Sequence, residues 1–198
     1  MHNYSIQDFI VKVENIAKEG YFKSIDNVIY KSLGENFSSQ GTIGEKGEVR
    51  NEKEVRSVNG HFFNEEDIKN VSQRIVYNES MKLVTRLYDI YNDTFKHHPL
   101  SPKIESTPVL HFLKYTADDR GHYDWHTDDS AKHAPRTLTM LIGLNDNYSG
   151  GELKVLNDSN PVKLRRNQAV IFPSNFLYSH KVEPVTEGER KVLVVWIQ

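Results

Sequence analysis

Two hydrophobic rhythms divide this chain. Before about residue 106, apolar positions recur every three or four residues. From Val109 onward they come in short runs rich in β-branched and aromatic residues, cut by Gly, Pro, Asn and Asp. Ile6, Phe9, Ile10, Val13, Ile16 and Ala17 predict one amphipathic helix, opened by a variant capping box at Ser5 and Asp8 and closed at Gly20. Residues 21–31 read as extended. Residues 32–60 are rich in Gly, Ser, Glu, Lys and Asn, which predicts a long mobile loop or a loose hairpin, a candidate lid. A second helical region opens near Asn64–Asp67 and carries Ile68, Val71, Ile75, Val84, Leu87, Tyr88, Tyr91 and Phe95. It is one bent helix or two, ended by Pro99 and Pro102. Strands are expected over 109–115, 137–144, 152–156, 168–172 and 190–197. A helical start followed by many short strands predicts an α+β fold whose β part closes into a jelly roll.

Length and composition narrow this further. At 198 residues the chain suits a single domain, with 1–106 as helical support and loop and 107–198 as the core. Net charge is −2 with both signs mixed along the chain, so no field for general nucleic-acid binding is present. The densest basic cluster, Lys163, Arg165 and Arg166, reads as a solvated strand edge. Cysteine is absent, which excludes disulfides, thiolate metal sites and a cysteine nucleophile. The amino terminus lacks the basic start and apolar run of a leader, and no apolar stretch is long enough to span a membrane. A soluble cytoplasmic protein without membrane partners is the expectation.

The chemistry concentrates in the second half. A strand places residues i and i+2 on one face, so His126 and Asp128 can offer an imidazole and a carboxylate to one metal ion. His180 supplies a second imidazole from a distant segment. Two histidines and one carboxylate form the facial triad of non-haem Fe(II) oxygenases, which leaves coordination positions open. Such ligands also suit Mn, Co, Ni and Zn. His122 and Asp124 repeat the same spacing and compete for the role. Arg190, ten residues beyond His180, can serve as a fixed cation for a dicarboxylate. His111 alternates with Leu110 and Phe112 in a predicted strand and can face the barrel interior, without an assigned role.

Taken in order, Tyr115, Gly121, Tyr123, His126 and Asp128 resemble the iron-binding segment of prolyl-hydroxylase-like 2-oxoglutarate oxygenases. Residues 168–198 resemble that family's C-terminal segment, with His180, Val182, Pro184, Arg190 and Trp196 in sequence. Arg136–Asn145 and the pair Gly150 and Gly151 resemble its core strand and double-glycine turn. Arginine at 190 follows the hypoxia-sensing and bacterial relatives, since collagen-type enzymes usually carry lysine there. The resemblance implies a double-stranded β-helix core, jelly-roll and cupin-like, with N-terminal helices packed on one sheet. It implies Fe(II) on His126, Asp128 and His180, and 2-oxoglutarate held by Arg190, Tyr115 and Trp196, with O₂ consumed and ascorbate as an accessory. No catalytic residue beyond the metal ligands is implied. The reaction would hydroxylate an unactivated C–H bond, in a peptidyl proline, with succinate and CO₂ as coproducts and a peptide or protein as partner. Three other readings compete: an oxygenase of a small molecule, a non-catalytic metal-binding or ligand-sensing jelly roll, and a zinc hydrolase. Arg190 argues against a mere metal store, which needs no cation matched to a dicarboxylate.

Overall fold

Alternation along the last strand organises the molecule. Val192, Val194 and Trp196 face one core, and Leu193, Val195 and Ile197 face another, so a single strand serves two packing layers. The computed structural model describes residues 4–31, 39–40, 54–97, 108–129 and 136–198. The first half contributes β1 (Val11–Glu14), α1 (Glu19–Ile25), β2 (Ser39–Gln40), β3 (Arg56–Ser57), β4 (Asn59–Phe63) and α2 (Val71–Thr94). The second half contributes β5 (Leu110–Thr116), β6 (His122–His126), β7 (Leu138–Gly143), β8 (Tyr148–Gly150), β9 (Leu153–Val155), β10 (Gln168–Pro173), β11 (His180–Val182) and β12 (Val185–Ile197).

These strands form two sheets. The larger runs β1-β10-β7-β12-β5-β4-β2, with β8 also paired to β12, and the smaller runs β3-β6-β11-β9. Leu113, Leu141, Leu153, Val170, Phe172, Val182, Val192 and Val194 fill the space between them. On the outer face of the large sheet, Leu110, Phe112, Met140, Ile142, Ile171, Leu193 and Val195 pack against Phe22, Ile25 and Ile29 from the first helical segment and Val76, Leu83, Val84 and Leu87 from α2. The architecture is thus α+β, with helices on one face of one sheet, and strands from before residue 107 join both sheets.

All five expected strands are present. Between Asn64 and Phe95 the helix is α2, unbroken over 24 residues, with the Asn70 side chain accepting from the Gln73 backbone N–H at 3.0 Å as its N-cap. Its buried face is carried by Val76, Leu83, Val84, Leu87 and Tyr91, whereas Val71 and Ile75 point to solvent.

The amino terminus differs from expectation. The Asp8 carboxylate accepts from the Ser5 backbone N–H at 2.6 Å, as a capping box should, yet it starts only a 3₁₀ turn, Ile6–Phe9. Val11 and Val13 then alternate with Lys12 and Glu14 in β1, which pairs antiparallel with β10 through Val11↔Ile171 and Val13↔Ala169. The large sheet offers a free edge there, and the ladder outweighs a helical rhythm that also fits a two-residue period. Helix forms instead where extended chain was expected, in α1 and the π-helical turn Asp26–Lys31, because Phe22, Ile25 and Ile29 cover the sheet. Much of the expected loop or lid, 32–38 and 41–53, lies outside the described residues, as do His98, Pro99 and Pro102. The parts that are described are β-structured: β2 pairs with β4 in a hairpin-like register, Ser39↔Gly60, and β3 pairs with β6.

Candidate metal and dicarboxylate site

Strand register builds the metal cluster. His126 ends β6 and His180 begins β11, and the two are directly opposed in the antiparallel ladder. Their ring centroids lie 4.2 Å apart. Asp128, two residues past the end of β6 and buried, brings its carboxylate to 3.8 Å from His126 Nε2 and 3.4 Å from His180 Nε2. One donor atom from each residue falls within 4.8 Å of the others, a spacing that one metal ion can bridge.

The outer hydrogen bonds set the chemical state of the rings. His126 Nδ1 lies 2.8 Å from the Asp124 carbonyl and His180 Nδ1 lies 3.1 Å from the Tyr178 carbonyl. A carbonyl only accepts, so each ring carries its proton on Nδ1 and turns the Nε2 lone pair toward the cluster. Burial, reinforced by His180, lowers the His126 pKa to about 3, which keeps that imidazole neutral. Burial works against ionisation of Asp128, but the adjacent His180 and His126 and a hydrogen bond from Thr139 outweigh it and hold its pKa below the ordinary value. Thr139 Oγ1 donates to Asp128 Oδ2 at 2.7 Å and sits 2.9 Å from Ser174 Oγ. Tyr123 stacks on His126 at 3.5 Å between centroids, fixing the ring plane.

The rival triplet is turned away. Both ring nitrogens of His122 face backbone carbonyls, those of Arg120 and Glu54, at 2.9 and 3.0 Å. Asp124 is exposed and accepts from the Trp125 N–H.

Arg190 lies opposite Tyr115 in the β12–β5 ladder and is 1% exposed. Among the described residues its three guanidinium nitrogens make no hydrogen bond of good geometry, although the Tyr115 and Tyr148 hydroxyls lie near them. Tyr115 lies beneath it, with the guanidinium carbon 5.0 Å from the ring centroid, and Tyr148 is close enough to feel its charge. Burial raises the Tyr115 pKa and Arg190 opposes that rise, so the phenol stays protonated and able to donate. Gly151, at φ +68°, makes room: a Cβ there would stand 2.9 Å from Arg190 Cδ. The double-glycine turn therefore serves backbone geometry, as expected, and also the arginine.

Trp196 is placed differently from the other expected cofactor residues. It shares the inner face of β12 with Arg190 but stands six residues along, about 20 Å in extended chain. Trp196 and Tyr115 nonetheless both line the cavity that holds His126, Asp128 and His180. Trp196 carries the Arg136 guanidinium 3.8 Å above its ring. Arg56, Thr139 and Arg136 also belong to the surroundings of the metal cluster, and their sequence context held no signal for it. Arg56 lies in a stretch that reads as loop, and Thr139 in one that reads as plain core strand.

The site fits Fe(II) with 2-oxoglutarate. The ligands are neutral nitrogen and ionised oxygen without sulfur, and a buried cation lacking any counter-group requires an anion. The donor set is one that a metal-dependent oxygenase would need, and comparison with known proteins points the same way. A family model of the 2OG-Fe(II) oxygenase superfamily matches residues 110–198. A PKHD-type hydroxylase of Prochlorococcus marinus (strain AS9601) is 25% identical over 164 residues, 74% of this chain and 73% of that protein. Another, from strain NATL2A, is 31% identical over 126 residues, 61% of this chain and 56% of that protein. The chain thus spans between about half and three quarters of these curated relatives. The fold is shared with a prolyl-4-hydroxylase from Pseudomonas putida, at TM-score 0.70 and 17% identity over 96% of this chain and 92% of that one. A Trichoplax adhaerens prolyl hydroxylase, solved with a hypoxia inducible factor peptide fragment, also gives TM-score 0.70, at 16% identity over 96% of this chain and 83% of that one. Over residues 110–198 the chain is thus similar to the 2OG-Fe(II) oxygenase superfamily, and over a longer span to PKHD-type hydroxylases. No helix among the described residues is long and apolar enough to cross a membrane.

Proposed function

We propose that this protein hydroxylates a peptidyl residue, proline by first choice, and that the two sheets form a double-stranded β-helix of the jelly-roll, cupin-like kind around that chemistry. Residues 1–198 act as one unit in this reading, with 107–198 as the catalytic core. The observation that carries it is the pairing of a His126, Asp128 and His180 cluster with a buried, unpartnered Arg190 guanidinium on the inner face of the large sheet. A peptide-bound prolyl hydroxylase of the same fold supports a peptide as substrate.

Each side chain has a physical task. His126 and His180 present Nε2 lone pairs and Asp128 an ionised carboxylate, which together would hold Fe(II). The planar fork of Arg190 suits two parallel charge-assisted bonds to the far carboxylate of 2-oxoglutarate, and the Tyr115 hydroxyl donates beside it. Thr139 keeps the Asp128 carboxylate oriented. Loaded in this way, the site supplies oxidative decarboxylation: substrate C–H, 2-oxoglutarate and O₂ give the hydroxylated substrate, succinate and CO₂. The chain provides binding, orientation and exclusion of water, and no general base is required. A non-catalytic metal store leaves the buried charge of Arg190 without a use.

The test is anaerobic reconstitution with Fe(II) and 2-oxoglutarate, followed by a visible charge-transfer band, then oxygen-dependent succinate release across a panel of proline peptides and free proline. His126→Ala and Asp128→Ala should abolish turnover and Asp124→Ala should retain it. An active Asp128→Ala variant beside a dead Asp124→Ala variant would refute the assignment.

A further inference from the structure

Arg190 is not the sole buried donor without a partner. Arg56 Nε, His111 Nδ1 and Arg136 Nε are also buried and unbonded, and the Trp196 indole N–H is directed at Asp128 without forming a hydrogen bond of good geometry. They are neighbours. The Arg136 guanidinium lies 3.8 Å above the Trp196 ring, and the His111 ring lies 5.7 Å from the same indole. The charges of Arg56 and Arg136 both bear on His111, and Arg56 bears on Arg136. Arg56 and Trp196 line the cavity that holds His126, Asp128 and His180. So does Val194, the ladder partner of His111.

The cluster is built rather than accidental. His111 is 5% exposed, stacked on Phe62 at 3.9 Å between centroids, and seated against Gly60, where a Cβ would come within 2.6 Å of its Nε2. Arg56 is held with its guanidinium carbon 4.4 Å from the centroid of the Tyr123 ring. Neither Arg56 nor Arg136 forms an ion pair with a carboxylate side chain among the described residues, although Arg136 Nη1 donates to the Asp128 carbonyl at 3.2 Å. Two adjacent cations beside an imidazole share only the charge of Asp128, and the unbonded Arg56 Nε, Arg136 Nε and His111 Nδ1 favour a ligand that brings further oxygen atoms. The far carboxylate of 2-oxoglutarate, which would satisfy Arg190, lies six residues along β12 from Trp196, too distant to serve them as well.

We infer that this cluster seats a carboxylate of the molecule to be hydroxylated, with Arg56 and Arg136 as its cations and His111 as a neutral donor beside the Trp196 ring. The inference rests on the oxygenase reading above and adds the substrate class: a compound bearing a carboxylate close to the reacting carbon. That group is either a peptide's own carboxylate, at its C-terminus or on a flanking acidic residue, or the carboxylate of a free amino acid. A planar carboxylate matches the guanidinium fork, whereas an amide offers one acceptor oxygen and no charge.

Binding is measured under argon, with and without Fe(II) and 2-oxoglutarate, by quenching of tryptophan fluorescence. The probes are glycyl-proline against glycyl-prolinamide, free proline against prolinamide, and blocked pentapeptides carrying Asp or Asn beside proline. In at least one pair the carboxylate member should bind about tenfold tighter or better, and the pair that responds identifies the source. Arg56→Gln and His111→Leu should remove that preference while affinity for 2-oxoglutarate stays within about twofold. Arg56 sits on a two-residue strand, and Arg56→Lys, which keeps the charge but not the fork, should be intermediate. Equal binding of acid and amide, no binding of any probe below about 10 mM, or an unchanged preference in both variants overturns the inference. If the wild-type protein takes up no 2-oxoglutarate, the oxygenase reading fails, and the carboxylate preference is still decided by the arm without cosubstrate.

Discussion

Replacing Arg190 by methionine should move cosubstrate affinity and thermal stability in opposite directions. Arg190 is 1% exposed, with three unbonded nitrogens, so the ligand-free fold bears a buried charge that nothing neutralises. A methionine fills much of the same volume beside Gly151 and Tyr115 without that charge. Hydrophobic replacement of buried ionic groups is neutral or stabilising by about 1–4 kcal/mol. At this chain length each kcal/mol shifts Tm by about 2–4 °C, so the expected change runs from none to a gain of about 16 °C. Cosubstrate binding should instead lose about 2–5 kcal/mol, the usual cost of truncating one partner of a buried charge pair, or about 30- to 5,000-fold in Kd. The assay is a pair of melting curves, without ligand and with Fe(II) and 2-oxoglutarate under argon. At about 100 times the wild-type Kd, the cosubstrate should stabilise the wild-type protein by about 2.7 kcal/mol and the variant by about 0.9 kcal/mol or less. A variant that melts lower than wild type without ligand, yet gains the full cosubstrate shift, would refute both halves of the reasoning.

Other expectations follow from single contacts. Thr139→Val removes the 2.7 Å bond to Asp128 and should weaken metal affinity about 10- to 100-fold, read by metal titration against a competing chelator. His111→Leu should flatten the acid limb of stability. Burial, helped by Arg56 and Arg136, lowers the His111 pKa to about 3 from 6.5, so between those values the unfolded chain binds a proton that the folded one refuses. Stability must then fall as pH drops through that window, by up to about 1.4 kcal/mol per pH unit, and melting curves at pH 4 and 7 should differ less in the variant. Leu87→Ala, at a fully buried position of α2, should cost about 2–5 kcal/mol in urea unfolding with the metal ligands untouched.

The strands of the second half were legible because a half-buried strand writes its period of two, and its turns, into the residue order. The metal triad was legible for a related reason: His126 and Asp128 are two apart in the chain, so their shared face is a local property. His180 and Arg190 were found through their spacing within a resemblance, not through local physics. The amino terminus misled because Ile10, Val11, Val13 and Ile16 satisfy both helical and strand rhythms over so short a span, and the open edge of β10 decided between them.

What the linear order of residues determined by itself was the α+β class of fold and the shared face of His126 and Asp128, with His180 and Arg190 added as candidates by resemblance. Tertiary structure alone decided that His122 and Asp124 turn outward, that Trp196 stands apart from Arg190, and that Arg56, His111 and Arg136 gather beside the metal cavity. The reason is physical: a side chain's face within its own strand follows from local periodicity. Which strands lie opposite one another depends on the register and closure of two sheets, which no short stretch of sequence encodes.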